Sequence, residues 1–274
     1  MVQSEAVLFW ITIALYLASS VTFLTSLIFR KVSWPGYAIV ITLLGFLTHN
    51  AAIATRWVAT GHAPVMGDYE NALAGSWLIV LLFLSLQLRF RNLRSLGAAV
   101  IPFALLMLGY GIMRSPQLEP LTPPFHSNWL YVHVAFAWFA YSSFVIAAGL
   151  AVLFLLRERG QKTEASSSFY GRLPPAGVLD ELSYRFITFG FVAGAVMLVA
   201  GSIWANSLWG SYWAWDPIET WSLISWLIYG LYLHLRAVHG WRTKRASWLA
   251  IVALPTVIMS FFGISYLATG LHIF

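Results

Sequence analysis

The amino-acid sequence predicts an all-α, polytopic integral membrane protein with about eight transmembrane helices and both termini on the outer side of the membrane. Three observations predict this class. Of the 274 residues, 59% are hydrophobic and only 9% are charged, whereas a soluble domain carries roughly 25% charged residues. Eight apolar runs approach the length of about 20 residues that crosses a bilayer. The Lys and Arg residues also collect in alternate connections between these runs.

The apolar runs define the predicted helices in order along the chain. They are Ala6 to Phe29, Pro35 to Trp57, Ala72 to Leu88, Leu96 to Met113, Trp129 to Leu156, Tyr184 to Trp204, Glu219 to Leu235 and Ala246 to Leu271. The first run is too long, and too poor in preceding positive charge, for a cleavable signal peptide, so we expect it to be retained. The seventh has a recognisable start, because Asp216, Pro217 and Glu219 match an N-cap, a proline at the first helical position and an acidic third position.

The positive charges give the predicted orientation. Fourteen of the 16 Lys and Arg residues follow runs one, three, five and seven, and the other two are Arg56 and Arg114. Positive residues concentrate on the cytoplasmic side, so both termini are predicted outside. The formal charge of +6 therefore reflects topology, and we expect no nucleic-acid partner. The absence of cysteine excludes disulfides, thiol catalysis and thiolate metal sites.

Residues 1–274 are predicted to form a single transmembrane domain with one polar connector. The cytoplasmic stretch 157–183 contains Pro174, Pro175 and the serine run Ser166 to Ser168. Such a composition is typical of a flexible link.

The densest chemical signal is the tryptophan segment, residues 204–221, which we predict to be an outer loop. It contains five tryptophans and Tyr212 within 18 positions. An interfacial aromatic belt is one interpretation. This density favours the other, a broad polarizable surface for a large flat ligand. For Asp216 and Glu219 the capping role explains their presence without a catalytic one.

The histidines make haem a plausible flat ligand, because haem iron is commonly held axially by His. His133 and His272 fall at the outer ends of runs five and eight, level with the tryptophan segment. His234 falls near the cytoplasmic end of run seven, where a functional role and simple snorkelling are both open. His49 carries a weaker functional hypothesis, and His62, His126 and His239 are predicted to be solvated.

The tryptophan segment resembles the signature of the haem-handling membrane proteins of cytochrome c maturation. The match is to the CcsA family, also called ResC, of the system II synthase. The resemblance covers most of the chain and rests on 64–70, 131–133, 182–185, 209–226, 232–236 and 270–272.

The resemblance implies roles for individual residues. His133 and His272 match outer axial ligands of haem iron, and His234 matches an intramembrane histidine that receives haem in transit. The porphyrin would contact the segment through Trp209, Tyr212, Trp213, Trp215, Asp216 and Trp221. No catalytic residue is predicted.

The implied function is to bind and deliver haem b for thioether attachment to the CxxCH motif of apocytochrome c. The chain would act with a membrane protein of the ResB or CcsB type, as a component of a holocytochrome c synthase rather than a complete enzyme. The expected location is the bacterial cytoplasmic membrane, with a thylakoid membrane as the alternative.

Three other functions stay open at this stage. A related membrane haem protein would regulate haem synthesis. A diheme electron-transfer subunit would need two His on one helix, and no run carries two. A secondary transporter would show charges near the midplane, and nearly every Asp and Glu lies at the end of a run.

Overall fold

A computed structural model describes residues 1–29, 31, 33–114, 116–118, 120–121, 123–162, 170 and 173–263. Within these residues the chain is helical and contains no strand, which confirms the predicted all-α class. The α-helices are α1 Gln3–Ile28, α2 Trp34–Thr60, α3 Gly67–Arg89, α4 Gly97–Arg114, α5 Asn128–Lys162, α6 Ala176–Trp209, α7 Pro217–Val238 and α8 Lys244–Ile258. Every predicted apolar run overlaps one of them, and the part of the eighth run from residue 264 onward lies outside the described residues.

The helices are those of a multi-pass membrane protein. Among the described residues, seven are long and apolar enough to cross a bilayer, and α7 is the exception. Its 22 residues are sufficient in length, so composition is what separates it from the others. Its buried positions are all hydroxyl-bearing, namely Ser222, Ser225, Tyr229 and Tyr232. The eight predicted runs therefore correspond to eight α-helices of the described residues, of which seven are apolar enough to cross a bilayer.

The predicted connector 157–183 is too long. Helix α5 continues to Lys162, and α6 begins at Ala176, so helices occupy both ends of that stretch. Pro175 explains the early start of α6, because its carbonyl accepts hydrogen bonds from the Val178 and Leu179 amides, and proline suits the beginning of a helix. The polar composition of this stretch therefore extends over helical residues at both ends. The serine run Ser166 to Ser168 lies outside the described residues.

Spatial contacts group the chain into two compact units. Unit 1 comprises Met1–Leu121 and Leu153–Leu179, and unit 2 comprises Thr122–Val152 and Asp180–Phe274. Two of the three boundaries fall within helices, one in α5 and one in α6. The assignment of residues 1–274 to a single domain stays a prediction.

Unit 1 packs its helices through small and hydroxyl-bearing residues. A Cβ atom at Gly45 of α2 would lie 2.7 Å from the Tyr16 ring of α1, so the two helices approach closely there. The Ser19 hydroxyl donates to the Ala38 carbonyl at 3.0 Å and lies 2.6 Å from the Thr42 hydroxyl. In lipid the hydrophobic effect contributes little to the association of apolar helices. Close packing and hydrogen bonds of this kind hold the helices together instead.

Unit 1 contains a buried cluster of charged side chains. The Arg56 Nε donates to Glu70 Oε1 at 2.8 Å, and Arg56 Nη1 lies 3.7 Å from Glu5 Oε1. The Tyr69 hydroxyl donates to Glu5 at 2.9 Å. All four residues are nearly inaccessible, with exposures from 0% to 2%. The pairing of Arg56 with Glu70 is therefore a buried one, in which protein groups rather than water compensate the charges.

Unit 2 is held by stacked aromatic rings. Tyr229 of α7 stacks on Phe144 of α5 with ring centroids 3.5 Å apart. Trp226 of α7 stacks on Phe191 of α6 at 4.5 Å, and its indole nitrogen donates to the Phe191 carbonyl at 3.0 Å. Stacking and the satisfied indole fix the orientation of α7 within this unit.

Candidate functional site

The tryptophan segment is mostly helical at its ends. Helix α6 runs to Trp209 and α7 begins at Pro217, so only residues 210–216 lack helical structure. The loop predicted over 204–221 is therefore reduced to residues 210–216, because helices occupy both of its ends. Trp204 and Trp209 lie on α6, where the helix continues to satisfy backbone hydrogen bonds, and Trp221 lies on α7.

The start of α7 has the predicted capping box. The Asp216 carboxylate accepts a hydrogen bond from the Ile218 amide at 2.9 Å. The Glu219 Oε2 atom accepts from the Asp216 amide at 3.3 Å, and also from the Ala214 amide at 2.9 Å. Pro217 occupies the first helical position. These bonds satisfy amides that a helix start otherwise leaves without partners, which confirms the structural role predicted for Asp216 and Glu219.

Trp215 combines an unfavourable backbone with an exposed ring. Its φ of 57° lies in the left-handed region, which is unfavourable for a residue with a Cβ atom. Its ring is 70% exposed, and Tyr212 is 60% exposed. The Trp213 ring packs edge to face against Trp215 at 5.8 Å. Local strain of this kind concentrates at functional sites.

His133 is fixed by α6. Its Nδ1 atom donates to the Met197 carbonyl at 2.9 Å, because a carbonyl can only accept. This bond selects the tautomer whose Nε2 atom carries the lone pair, the atom then suited to bind a metal. The ring also packs against Gly201, where a Cβ atom would lie 2.5 Å from Nδ1. Sequence reasoning had no signal for either α6 residue, since the pairing depends on the approach of two helices.

An aromatic cluster centred on Trp204 lies beside His133. Trp204 is 5% exposed and its ring lies 6.2 Å from His133, 6.5 Å from Trp209 and 5.9 Å from Phe125. The start of α5, the end of α6 and the short helix Pro123–Phe125 supply these rings. Phe125 was not among the predicted site residues, because nothing marks an isolated phenylalanine in a loop as functional.

The predicted residues are therefore distributed over neighbouring parts of unit 2. His133 contacts Trp204, the ring next to Trp209, while Trp213 and Trp215 form a second aromatic pair. Asp216 is buried at the helix cap, and Trp221 is half-buried on α7. His272 lies outside the described residues, so its relation to His133 stays a prediction.

His234 lies at the opposite end of α7. It is the eighteenth residue of that helix, about 27 Å from Asp216 at 1.5 Å per residue. Its side chain is exposed, and its ring lies 5.9 Å from that of His239, which is exposed as predicted. Nearby, Arg236 donates two hydrogen bonds to Asp180 of α6, at 3.0 and 2.7 Å, which ties this end of α7 to α6.

Two other histidines have structural surroundings. His49 is fully buried, with Nε2 donating to the Leu73 carbonyl at 3.0 Å and Nδ1 3.2 Å from the Tyr16 hydroxyl. Because both ring nitrogens are engaged, the functional hypothesis for His49 loses its basis. His62 was predicted to be solvated, and this is wrong: it is 6% exposed, and its Nδ1 donates to the Ala63 carbonyl at 2.8 Å. His126 is exposed, in agreement with the sequence.

Comparison with known proteins decides the family. A family model described as cytochrome c assembly protein matches residues 65–272. The chain belongs to this family. It is a membrane protein of cytochrome c biogenesis, and the matched range includes His133, the tryptophan segment and His234.

Relatives within the cytochrome c assembly family extend the similarity to almost the whole chain. The cytochrome c biogenesis protein CcsA of Guillardia theta is 34% identical, with 96% of this chain and 93% of that protein aligned. CcsA of Parasynechococcus marenigrum (strain WH8102) is 33% identical over 86% of each chain. The resemblance to CcsA read from the tryptophan segment is thereby confirmed.

A solved structure shares the fold of this cytochrome c assembly protein. The cytochrome c heme lyase CcmF superposes with a TM-score of 0.72 at 16% identity, covering 96% of this chain and 47% of that protein. The chain therefore spans about half the length of that lyase. At 16% identity this likeness supports a shared fold alone.

Proposed function

We propose that this protein is the haem-binding and haem-delivery subunit of a system II cytochrome c synthase. It presents haem b at the outer face of the membrane for covalent attachment to the CxxCH motif of apocytochrome c. The observation that carries the proposal is the bond from His133 Nδ1 to the Met197 carbonyl beside Trp204. It orients the imidazole beside an aromatic ring, as a haem-iron ligand requires.

In this proposal each residue type has one task. His133 and His272 hold the iron from two sides. The porphyrin ring rests on aromatic surface supplied by Trp209, Tyr212, Trp213, Trp215 and Trp221, with Asp216 at the helix cap beneath them. Apolar and polarizable side chains suit a large flat substrate.

Haem is the substrate of this machinery, and the contribution of the chain is to position it. Attachment joins a cysteine sulfur to a vinyl carbon, while the thiol proton passes to the neighbouring vinyl carbon. Holding two reactants in a productive orientation accelerates such an addition without a general acid or base. The rigid capping box and the fixed His133 ring serve this purpose.

His234 is proposed as a transit ligand on the cytoplasmic side. Its exposure at the surface of unit 2 supports a role in which a second molecule covers it. A ResB- or CcsB-type membrane protein is the proposed partner. The assembly would lie in a bacterial cytoplasmic membrane or a thylakoid membrane.

The test is the haem spectrum of the protein coexpressed with its partner and purified from membranes. Wild type is compared with His133→Ala, His272→Ala and His234→Ala, and haem is quantified per protein as the pyridine haemochrome. We expect a bis-His spectrum in wild type, loss of one axial ligand in each outer variant and a separate loss in His234→Ala.

The matched control is His239→Ala, which removes an exposed histidine from the same end of α7. It should retain the wild-type spectrum and haem content. A wild-type protein that binds no haem, or identical haem in all variants, would reject the proposal and leave the tryptophan segment as an interfacial anchor.

A further inference from the structure

The backbone conformation and the exposure of Trp215 are both unfavourable for a tryptophan. The left-handed backbone, with φ of 57°, crowds its Cβ atom, and a ring that is 70% exposed gains little from burial. Glycine adopts this backbone readily, yet a tryptophan occupies the position. Some part of the fold must therefore hold the residue, and its exposed side chain is open to contact with a second molecule.

The first residues of α7 supply the restraint. Glu219 Oε2 accepts from the amides on both sides of Trp215, those of Ala214 at 2.9 Å and Asp216 at 3.3 Å. The Thr220 hydroxyl donates to the Trp215 carbonyl at 3.3 Å. The peptide groups around Trp215 are thus bonded to two adjacent side chains of one helical turn.

This arrangement exceeds the needs of a helix cap. A capping box requires the Glu side chain to accept from the N-cap amide, here Asp216. The bonds to Ala214 and from Thr220 lie upstream of the cap and leave the orphan amides of α7 unchanged. Their effect is to hold the backbone of Trp215, and with it the direction of its Cα–Cβ bond.

We infer that Glu219 and Thr220 are positioning residues, which hold the strained Trp215 so that its exposed ring forms one wall of the haem contact surface. The inference rests on the proposed function and adds to it the residues that preorganise this wall. A contact surface fixed in advance loses less conformational freedom on binding than a mobile one.

The decisive variant is Trp215→Gly. Glycine relieves the left-handed strain, and removal of an exposed ring sacrifices little packing, so we expect the thermal midpoint to stay equal or rise. Haem retained per protein should fall about five- to tenfold, the factor that corresponds to one aromatic contact. A purely structural Trp215 predicts the opposite pattern, with haem retained.

The positioning residues are tested by Glu219→Ala, Glu219→Gln and Thr220→Val in the assembled complex. Glu219→Ala should lose about fivefold in haem retention, whereas Glu219→Gln, whose side-chain carbonyl can still accept, should recover most of it. Thr220→Val should produce a smaller loss in the same direction. The control Glu181→Ala removes an exposed carboxylate from α6 and should leave haem unchanged.

The outcomes separate this inference from the proposed function. Normal haem retention in Glu219→Ala and Trp215→Gly, beside a wild type that binds haem, would overturn the inference alone. A wild type without haem would overturn the proposed function first. An equal loss in Glu219→Gln and Glu219→Ala, accompanied by equal losses of thermal midpoint, would assign Glu219 to the helix cap only.

Discussion

Two residues of α6, neither of which contributes a reactive side chain, determine the orientation of His133. The Met197 carbonyl accepts a hydrogen bond from Nδ1, and Gly201 leaves the space in which the ring lies. The carbonyl of Met197 is a backbone group, so no substitution at that position removes it directly. Gly201 is therefore the position at which the orientation of His133 can be tested without altering the imidazole.

Gly201→Ala should displace the His133 ring, because the added Cβ atom would lie 2.5 Å from Nδ1. We expect an overpacking penalty of about 1–3 kcal/mol and a haem spectrum altered at one axial ligand. The measurement is the spectrum and haem content of the purified complex.

Gly177→Ala is the matched control, since it makes the same change on α6 at a position with no atom within 4 Å of the added Cβ. Its spectrum should match wild type. If Gly201→Ala also kept a wild-type spectrum, the α6 contact would have no part in orienting His133.

At the scale of the helices, the buried ions join three elements of unit 1. Glu5 lies in the first turn of α1, Arg56 near the end of α2 and Glu70 in the first turn of α3. Arg56 also donates to the carbonyls of Pro116 and Gln117 beyond α4. A charge in this setting is compensated by fixed partners rather than by water. The removal of one partner therefore costs more than the pair contributes.

Arg56→Met should destabilise the protein by about 3–5 kcal/mol, because it leaves Glu70 and Glu5 buried beside a neutral side chain. The double variant Arg56→Met with Glu70→Met should recover part of this loss. Thermal unfolding in detergent, followed by circular dichroism, measures both.

The control for this pair is Arg114→Met. Arg114 bonds to Asp68 at 2.8 Å with both side chains about a third exposed, so its loss should cost less than about 1 kcal/mol. Equal losses for Arg56→Met and Arg114→Met would show that burial of the Arg56 cluster carries no special weight.

At the scale of the whole molecule, the charge pattern and the helices bear on topology together. The predicted eight crossings would return the chain to the side from which it started, and the positive residues cluster in alternate connections. The proposed site depends on this orientation, since haem attachment outside requires the tryptophan segment outside.

Alkaline phosphatase fusions test the orientation, because the reporter is active only outside the cytoplasm. Fusions after Gly61 and Gly210, in the turns that follow α2 and α6, should be active. Those after Phe90 and Gly240, in the turns that follow α3 and α7, should be inactive. The reversed pattern would put the tryptophan segment on the cytoplasmic side and exclude the proposed attachment site.

The helices were predictable because bilayer thickness imposes a length and a composition on each of them. Their ends were less predictable: α5 and α6 extend into the polar connector, and α6 and α7 take both ends of the tryptophan segment. A helix end is decided by where backbone hydrogen bonds can be satisfied. Composition indicates the position of a helix end only indirectly. The start of α7 is the exception, because the capping residues at Asp216 mark it directly in the sequence.

The sequence by itself determined the membrane class, the start of α7 and the family, because hydropathy, capping and the tryptophan segment are all local patterns. Tertiary structure alone decided the surroundings of each described histidine. His49 and His62 are buried with bonded ring nitrogens, His133 is oriented by a carbonyl and a glycine of another helix, and His234 is exposed. The physical reason is that the role of an imidazole depends on the partners of its two nitrogens, and those partners come from residues distant in the chain.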